Sequence, residues 1–248
     1  MYLALDTSTL TLSLALVERE GWRAVEAVAL GPPRQQSQML PGEALQLLGR
    51  HLLRVQDLEG IAVGLGPGSF TGLRIGLATA KGLGYAAGVP VAGASSLQAL
   101  AVDAALAGRG ALCVPAAVAR QNELYVAAYE VSAGDVLEVE AEQALALPDA
   151  AAFMLRHPRA KVVGPAVREY REKLAALGVP PERLCDEPSF PSARAVCALA
   201  RWEGAGALER LFSLEPHYVR ASEAERNPKF PPLPGPPPSA RLKDDEKV

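Results

Sequence analysis

Apolar and polar positions recur along this chain with two different periods, and the switches between them mark its elements. Tyr2 to Asp6 is a short apolar run ending in a carboxylate, and Thr11 to Val17 alternates with period two. Both read as strands, and a third is expected around Ala24 to Ala29, beyond a Glu20-Gly21 turn. Over Gln35 to Leu53 the period lengthens: Met39, Leu40, Ala44, Leu47, Leu48 and Leu52 fall at helical spacing. Pro41 sits near the start of that helix, where a first turn tolerates it. Ile61-Ala62-Val63 reads as a buried strand, and Gly64, Gly66, Pro67 and Gly68 follow as a loop. Ser69 or Thr71 then caps a helix running to about Tyr85, with Gly88 as its stop and Pro90 beyond. Val89 to Ala94 is a further strand, and Ser95 opens the next helix with Gln98 at the capping-box position. The first hundred residues therefore read βββαβα.

The second half reads as a worn copy of the first. Leu112 to Val118, Leu124 to Tyr129 and Val136 to Ala141 are strand candidates, followed by a helix near Pro148 to His157. Val162-Val163 is a strand running into Gly164-Pro165, and Val167 to Leu177 is helical. An alanine-rich helix begins at Ser192 and is expected to pack back on the first lobe. The expected division is a first lobe over 1–105 with a late helix over about 191–212, a second lobe over 106–190, and a C-terminal extension over 213–248. From about residue 227 that extension is proline-rich, a composition that neither pairs in a sheet nor continues a helix, so an extended tail is expected there.

Composition narrows the chemistry. Hydrophobic residues make up 49% of the 248, yet none of the apolar runs approaches a bilayer span, and the N-terminus lacks the basic-then-apolar pattern of a secretion signal. No membrane association and a cytoplasmic location are expected. A net charge of −3 without a basic cluster disfavours unaided nucleic-acid binding. Cys113, Cys185 and Cys197 lie far apart, and His51, His157 and His217 form no compact ligand set. Reduced thiols and no metal site are the expectation.

Two stretches carry candidate chemistry. The glycine loop between strand and helix N-terminus forms an anion cradle, because first-turn N–H groups have no partners within the helix; Gly66, Gly68 and Ser69 are its candidate contacts. Asp6, Thr7, Ser8 and Thr9 at the first hairpin turn offer a carboxylate and three hydroxyls. They read either as a phosphate or metal-phosphate contact or as turn residues bonding their own backbone. The helix after the loop carries a second message: Gly72, Gly76, Ala80, Gly84 and Gly88 recur every fourth residue beside Leu73 and Leu77. Interior helical glycines cost about 0.5–1 kcal/mol each relative to alanine. Close packing compensates, either on the protein's own sheet or on a partner.

The duplicated βββαβα plan with Asp6-Thr7-Ser8-Thr9 in its first turn resembles the actin/hexokinase/Hsp70-like ATPase superfamily. The stretch from Gly64 to Leu83, followed by Ser95-Ser96-Leu97, resembles more narrowly the TsaB (YeaZ) family. Further matches are the segment from Ser37-Gln38 to Pro41, Glu123-Leu124-Tyr125, and Pro216, Tyr218 and Arg220 near the end. The resemblance covers about residues 1 to 221. It implies an α/β fold of two ribonuclease-H-like or actin-like lobes, the second degenerate. It implies also a non-catalytic subunit, with no catalytic residue of its own, in formation of N6-threonylcarbamoyladenosine beside the anticodon of ANN-reading tRNAs. The implied partners are a TsaD-type catalytic paralogue, a TsaE-type ATPase, and a second copy of the chain when alone, with tRNA met only through the complex. The implied partner face lies on the two helices, at Met39, Leu40, Leu47, Gly72, Leu73, Gly76, Leu77, Ala80 and Gly84. On that reading Gly76→Leu should block the partner and leave the monomer folded.

Two departures from the family pattern bear on nucleotide chemistry. Gln36 stands where the family often has His. Val118 is the position read as matching an Asp that often opens the second lobe. An apolar residue there leaves one phosphate grip without its carboxylate, so no ATP turnover is expected from the chain alone; ATP or ADP with Mg2+ is expected, if anywhere, at an interface with partners. The competing reading is an ATP-dependent small-molecule kinase using Asp6 and the glycine loop. A peptidase reading lacks any compact His/Glu metal set.

Overall fold

A computed structural model of the chain describes residues 1–30, 36–132, 135–202 and 208–219. β1 (Tyr2–Asp6) pairs antiparallel with β2 (Leu12–Val17), and β2 pairs with β3 (Ala24–Leu30). The chain passes through α1 (Gln36–Arg50) to β4 (Gly60–Gly64), which lies parallel to β1. It then passes through α2 (Phe70–Ala87) to β5 (Val91–Ala94), parallel to β4. The resulting sheet has the order β3-β2-β1-β4-β5. After α3 (Ser96–Leu106) the plan repeats with β6 (Leu112–Arg120), β7 (Glu123–Ser132), β8 (Asp135–Ala146), α4 (Leu147–Arg156), β9 (Lys161–Val163), α5 (Pro165–Ala176) and β10 (Leu184–Cys185). Its order is β10-β9-β6-β7-β8, the same arrangement read from the opposite edge. The two-lobed α/β architecture expected from the sequence is the one observed.

Each sheet is covered on both faces. In the first, α1 and α2 bury Leu40, Leu47, Leu77 and Ala80 against Leu3, Leu5, Leu14 and Ile61 on one side. On the other side α6 (Ala193–Leu199) brings Ala195, Val196 and Cys197 to Tyr2, Ala4, Ala15 and Ala62. That double cover explains why β2 is buried throughout, although its alternation suggests a strand with one wet face. The polar Ser13 within it is satisfied, since its Oγ accepts from the N–H of Ala193 at 2.8 Å. In the second sheet α4 and α5 cover one face and α3 the other, through Leu97, Leu100, Ala101 and Ala104. α3 thus serves both lobes, and its nearly uninterrupted apolar sequence SLQALAVDAAL follows from having little wet surface. Its one carboxylate, Asp103, accepts from Ser192 N at 2.8 Å and Ser192 Oγ at 2.7 Å, tying α6 to α3.

Several element bounds move. The α1 helix ends at Arg50, and Leu52 beyond it has a left-handed φ of 55°. The late helix expected over about 191–212 is not continuous: α6 ends at Leu199, where Ala200 is extended, and α7 (Leu208–Ser213) is separate. Residues 203–207 lie outside the described residues, as do the proline-rich segment and Arg220. So do the side chains of Gln36, Ser37 and Gln38. The two-residue β10 has no counterpart in the sequence reading.

Candidate functional site

The first hairpin turn and the glycine loop meet as expected, but they are closed upon each other. Asp6 is completely buried; its Oδ1 accepts from Ser8 N at 2.8 Å and Ser8 Oγ at 2.6 Å, and its Oδ2 from Ser96 Oγ at 2.6 Å. Burial pushes its carboxyl above the usual carboxylate range, against the opposing pull of the two serines. Thr7 Oγ1 donates to Gly72 O at 2.8 Å, and Ser69 N donates to Ser8 O at 2.7 Å. Gly66 is gripped at both ends by Ser96, its N donating to Ser96 Oγ and its O accepting from Ser96 N. Ser69 is the N-cap of α2, its Oγ accepting from Gly72 N at 3.2 Å. The cradle of Asp6, Thr7, Ser8, Gly66, Gly68 and Ser69 is therefore largely filled by the protein's own hydrogen bonds and close backbone, an added Cβ at Gly68 lying 2.3 Å from Ser8 O.

The second lobe has no corresponding carboxylate. Parallel pairing sets Leu5 opposite Val63, so Asp6 stands beside Gly64, where an added Cβ would lie 1.9 Å from Asp6 Oδ2. The same pairing sets Pro115 opposite Val163, and Gly164 stands beside Ala116 in the same way. The residue equivalent to Asp6 is therefore Ala116, and the assignment of that role to Val118 is corrected by register. Val118 pairs with Leu124 two residues further along a hairpin that stays zipped to Arg120 and Glu123. A magnesium–nucleotide complex does not fit this pair of loops: one carboxylate is sealed and hydrogen-bonded, and the other is an alanine methyl.

The small-residue stripe of α2 also faces inward. An added Cβ at Gly72 would lie 2.1 Å from Thr7 O, one at Gly76 2.3 Å from Thr7 Oγ1, and one at Gly84 2.4 Å from Val91 Cγ2. Leu40, Leu47, Leu73, Leu77 and Ala80 are all buried, and of the expected partner-face residues only Met39 is exposed. The stripe lets α2 lie against β1 and β5, so the reading of these residues as a partner face is corrected. Gly76→Leu would break the monomer before it could block any partner.

What α2 turns outward is a different row. Ala78, Gly82 and Ala86 are exposed at four-residue spacing, and nothing lies within 4 Å of a Cβ built on Gly82. On one flank of this row, Leu83, Ala86 and Ala87 form a largely apolar groove of about 360 Å³ with Leu45, Leu48 and Leu53 from the α1 side, with Arg54 and Gln56 also in its wall. On the other flank stand Phe70, Arg74, Lys81 and Tyr85, all in contact with residues 212–218. Leu45 and Tyr85 are 52% and 62% exposed. Helical spacing singles out α2, but a spacing of four fits two faces of a helix, and the row read from the sequence is the buried one.

Burial pushes the Cys113 thiol up to about 11 and the Cys197 thiol up to about 12, so both stay protonated. Among the described residues, no three His, Cys, Asp or Glu side chains gather as a metal would require, and no helix is long and apolar enough to cross a membrane.

Comparison with known proteins agrees with this geometry. Residues 33–188 match the model of the family described as TsaD, tRNA N6-adenosine threonylcarbamoyltransferase. The chain belongs to the TsaD/YeaZ family. Two solved structures from Pseudomonas aeruginosa are similar to it. One, described as an uncharacterized protein with similarity to peptidase YeaZ, is 26% identical, with a TM-score of 0.67 over 88% of this chain and 99% of its own. The other, YeaZ itself, is 28% identical, with a TM-score of 0.61 over 80% of this chain and 89% of its own. A search of the curated proteins gives no match. Within the TsaD/YeaZ family, then, this chain joins a two-lobed fold to a cleft closed on itself and an open helix face.

Proposed function

We propose that this chain is a non-catalytic scaffold in formation of N6-threonylcarbamoyladenosine on tRNA, acting in the cytoplasm by pairing with a TsaD-type catalytic paralogue through the outward faces of α1 and α2. One observation carries the reading: the exposed Ala78, Gly82 and Ala86 row lies beside a largely apolar groove shared with α1, and among the described residues nothing lies within 4 Å of a Cβ built on Gly82. An unbranched helix face of this kind admits another helix at short distance, and the groove beside it receives that helix's larger side chains. When no paralogue is present a second copy of the chain takes its place. A TsaE-type ATPase and the tRNA join through the assembled complex. Any ATP or ADP with Mg2+ is held at those interfaces rather than by Asp6.

The test is co-elution with the TsaD-type partner and calorimetric titration. Gly82→Leu should weaken binding at least tenfold, about 1.4 kcal/mol, and Leu45→Glu should do likewise. Both variants should keep the circular dichroism of the parent and melt no lower than it, Gly82→Leu slightly higher from the helix propensity it gains. Undiminished binding by both would sink this reading.

A further inference from the structure

The C-terminal residues 208–219 lie along α2, held there by hydrogen bonds and ring contacts. Lys81 Nζ donates to Phe212 O at 3.0 Å, and Arg74 Nε donates to Tyr218 Oη at 3.0 Å. The rings of Phe70 and Tyr218 stand 5.4 Å apart, and those of Tyr85 and Phe212 5.9 Å. His217 N donates to Leu65 O at 2.7 Å, so the segment also crosses the glycine loop. Its imidazole then reaches the second lobe, where His217 Nδ1 stands 3.0 Å from Glu142 Oε2. That carboxylate is 5% exposed and is a meeting point: its Oε1 accepts from Tyr129 Oη at 2.7 Å and from Ser95 Oγ. Glu142 thus ties together β8, β7, the N-cap of α3 and the C-terminal segment. The apolar hold is small: among the described side chains Leu211 is buried and Leu214 and Val219 are partly buried against the cores, while Phe212 and Tyr218 are 63% and 42% exposed. Between segment and helix lies a cleft of about 380 Å³, walled by Ala78 and Leu77 on one side and Leu214 and Pro216 on the other.

We propose that residues 208–219 form a releasable strap over the flank of α2, latched by the pairing of His217 with Glu142, and that it competes with the TsaD-type partner for that helix. The inference rests on the partner reading above and adds a regulatory element to it. Competition follows from position: Ala78 belongs both to the cleft under the strap and to the open row a partner helix would meet. Release follows from chemistry: exposed polar contacts and the few apolar side chains Leu211, Leu214 and Val219 can be replaced by water and by a partner's side chains. Among anchors reaching beyond α2, the imidazole alone touches a buried charge, which makes it the latch.

Two full-length variants test it. His217→Ala removes the latch, and Leu211→Ser loosens the strap without touching Glu142. Amide hydrogen exchange of the chain alone should become about tenfold faster over 208–219 in both, with β1, β4 and β5 unchanged. Titration with the TsaD-type partner should then show several-fold tighter binding, because a larger fraction of the chain is competent at the start. Unchanged exchange in both variants would overturn the latch. Faster exchange with equal or weaker partner binding would overturn the competition and make the strap part of the interface. In either case measurable binding by the parent would leave the partner reading standing, whereas no binding by parent or variants would remove both.

Discussion

At the scale of single residues, the informative position is Asp6. A carboxylate at the end of the first strand invites a catalytic or phosphate-directed reading, and its type and place are legible in the sequence. Its surroundings are not, because Ser96 arrives from ninety residues away and only the folded sheet sets it opposite. With both oxygens accepting and no surface exposed, Asp6 acts as a rivet between the first turn, the glycine loop and α3. Asp6→Ala should strand the hydroxyls of Ser8 and Ser96 and the N–H of Ser8, at about 1–3 kcal/mol for each donor left unsatisfied in the interior. Asp6→Asn should be milder, because it keeps an acceptor for Ser8 and removes a charge that burial disfavours. Urea unfolding of the two variants gives the order; equal midpoints for parent and Asp6→Ala would show that the network contributes nothing. The same register argument corrects the second lobe: only strand pairing reveals that Ala116, not Val118, is the counterpart of Asp6.

At the scale of elements, α2 contains its own control experiment. Gly72 and Gly82 both lie inside the helix, and alanine at either gains about 1 kcal/mol of helix propensity. At Gly72 that gain is overwhelmed, because the new methyl would sit 2.1 Å from the carbonyl of Thr7, a backbone atom that cannot swing away. At Gly82 nothing opposes it. Thermal melts should therefore show Gly82→Ala raised by a few degrees and Gly72→Ala lowered by more than that; a stabilised Gly72→Ala would mean that α2 stands off β1 further than described. Most elements were readable from period and punctuation. Ser69 and Ser95 are the N-caps the sequence suggests, and Gly88 ends α2 in the left-handed conformation, with φ of 67°. What each helix faces was not readable. A four-residue repeat of small side chains announces close approach, but Gly72-Gly76-Ala80-Gly84 approaches its own sheet while Ala78-Gly82-Ala86 is exposed. β10 escaped for a simpler reason, since two residues are too few to show any period.

At the scale of the whole molecule, the two lobes and the C-terminal segment converge on Glu142, whose contacts join Ser95, Tyr129 and His217 across wide separations in the chain. None of these four has a local sequence signal for the others; Ser95 is visible only as a cap and His217 only as a lone histidine. Their assembly makes strap closure depend on pH, with a definite sign. The Glu142 carboxylate, 3.0 Å from Nδ1, raises the His217 pKa above the ordinary 6.5, and Glu138 adds to it, while partial burial pulls the other way. A histidine whose folded pKa is raised stabilises the folded arrangement fully below its unfolded value and loses that contribution as pH climbs through the folded one. The strap should therefore be closed at pH 6 and progressively loosened above the raised pKa of His217. The imidazole proton resonances of His217 should titrate with a midpoint above 6.5 that returns towards it in Glu142→Gln. Exchange over 208–219, corrected for the intrinsic effect of pH, should quicken from pH 6 to pH 9 in the parent and stay flat in His217→Ala. If the parent is equally flat, the strap is held by Lys81, Arg74 and the aromatic contacts alone, and the charge pair is not what closes it.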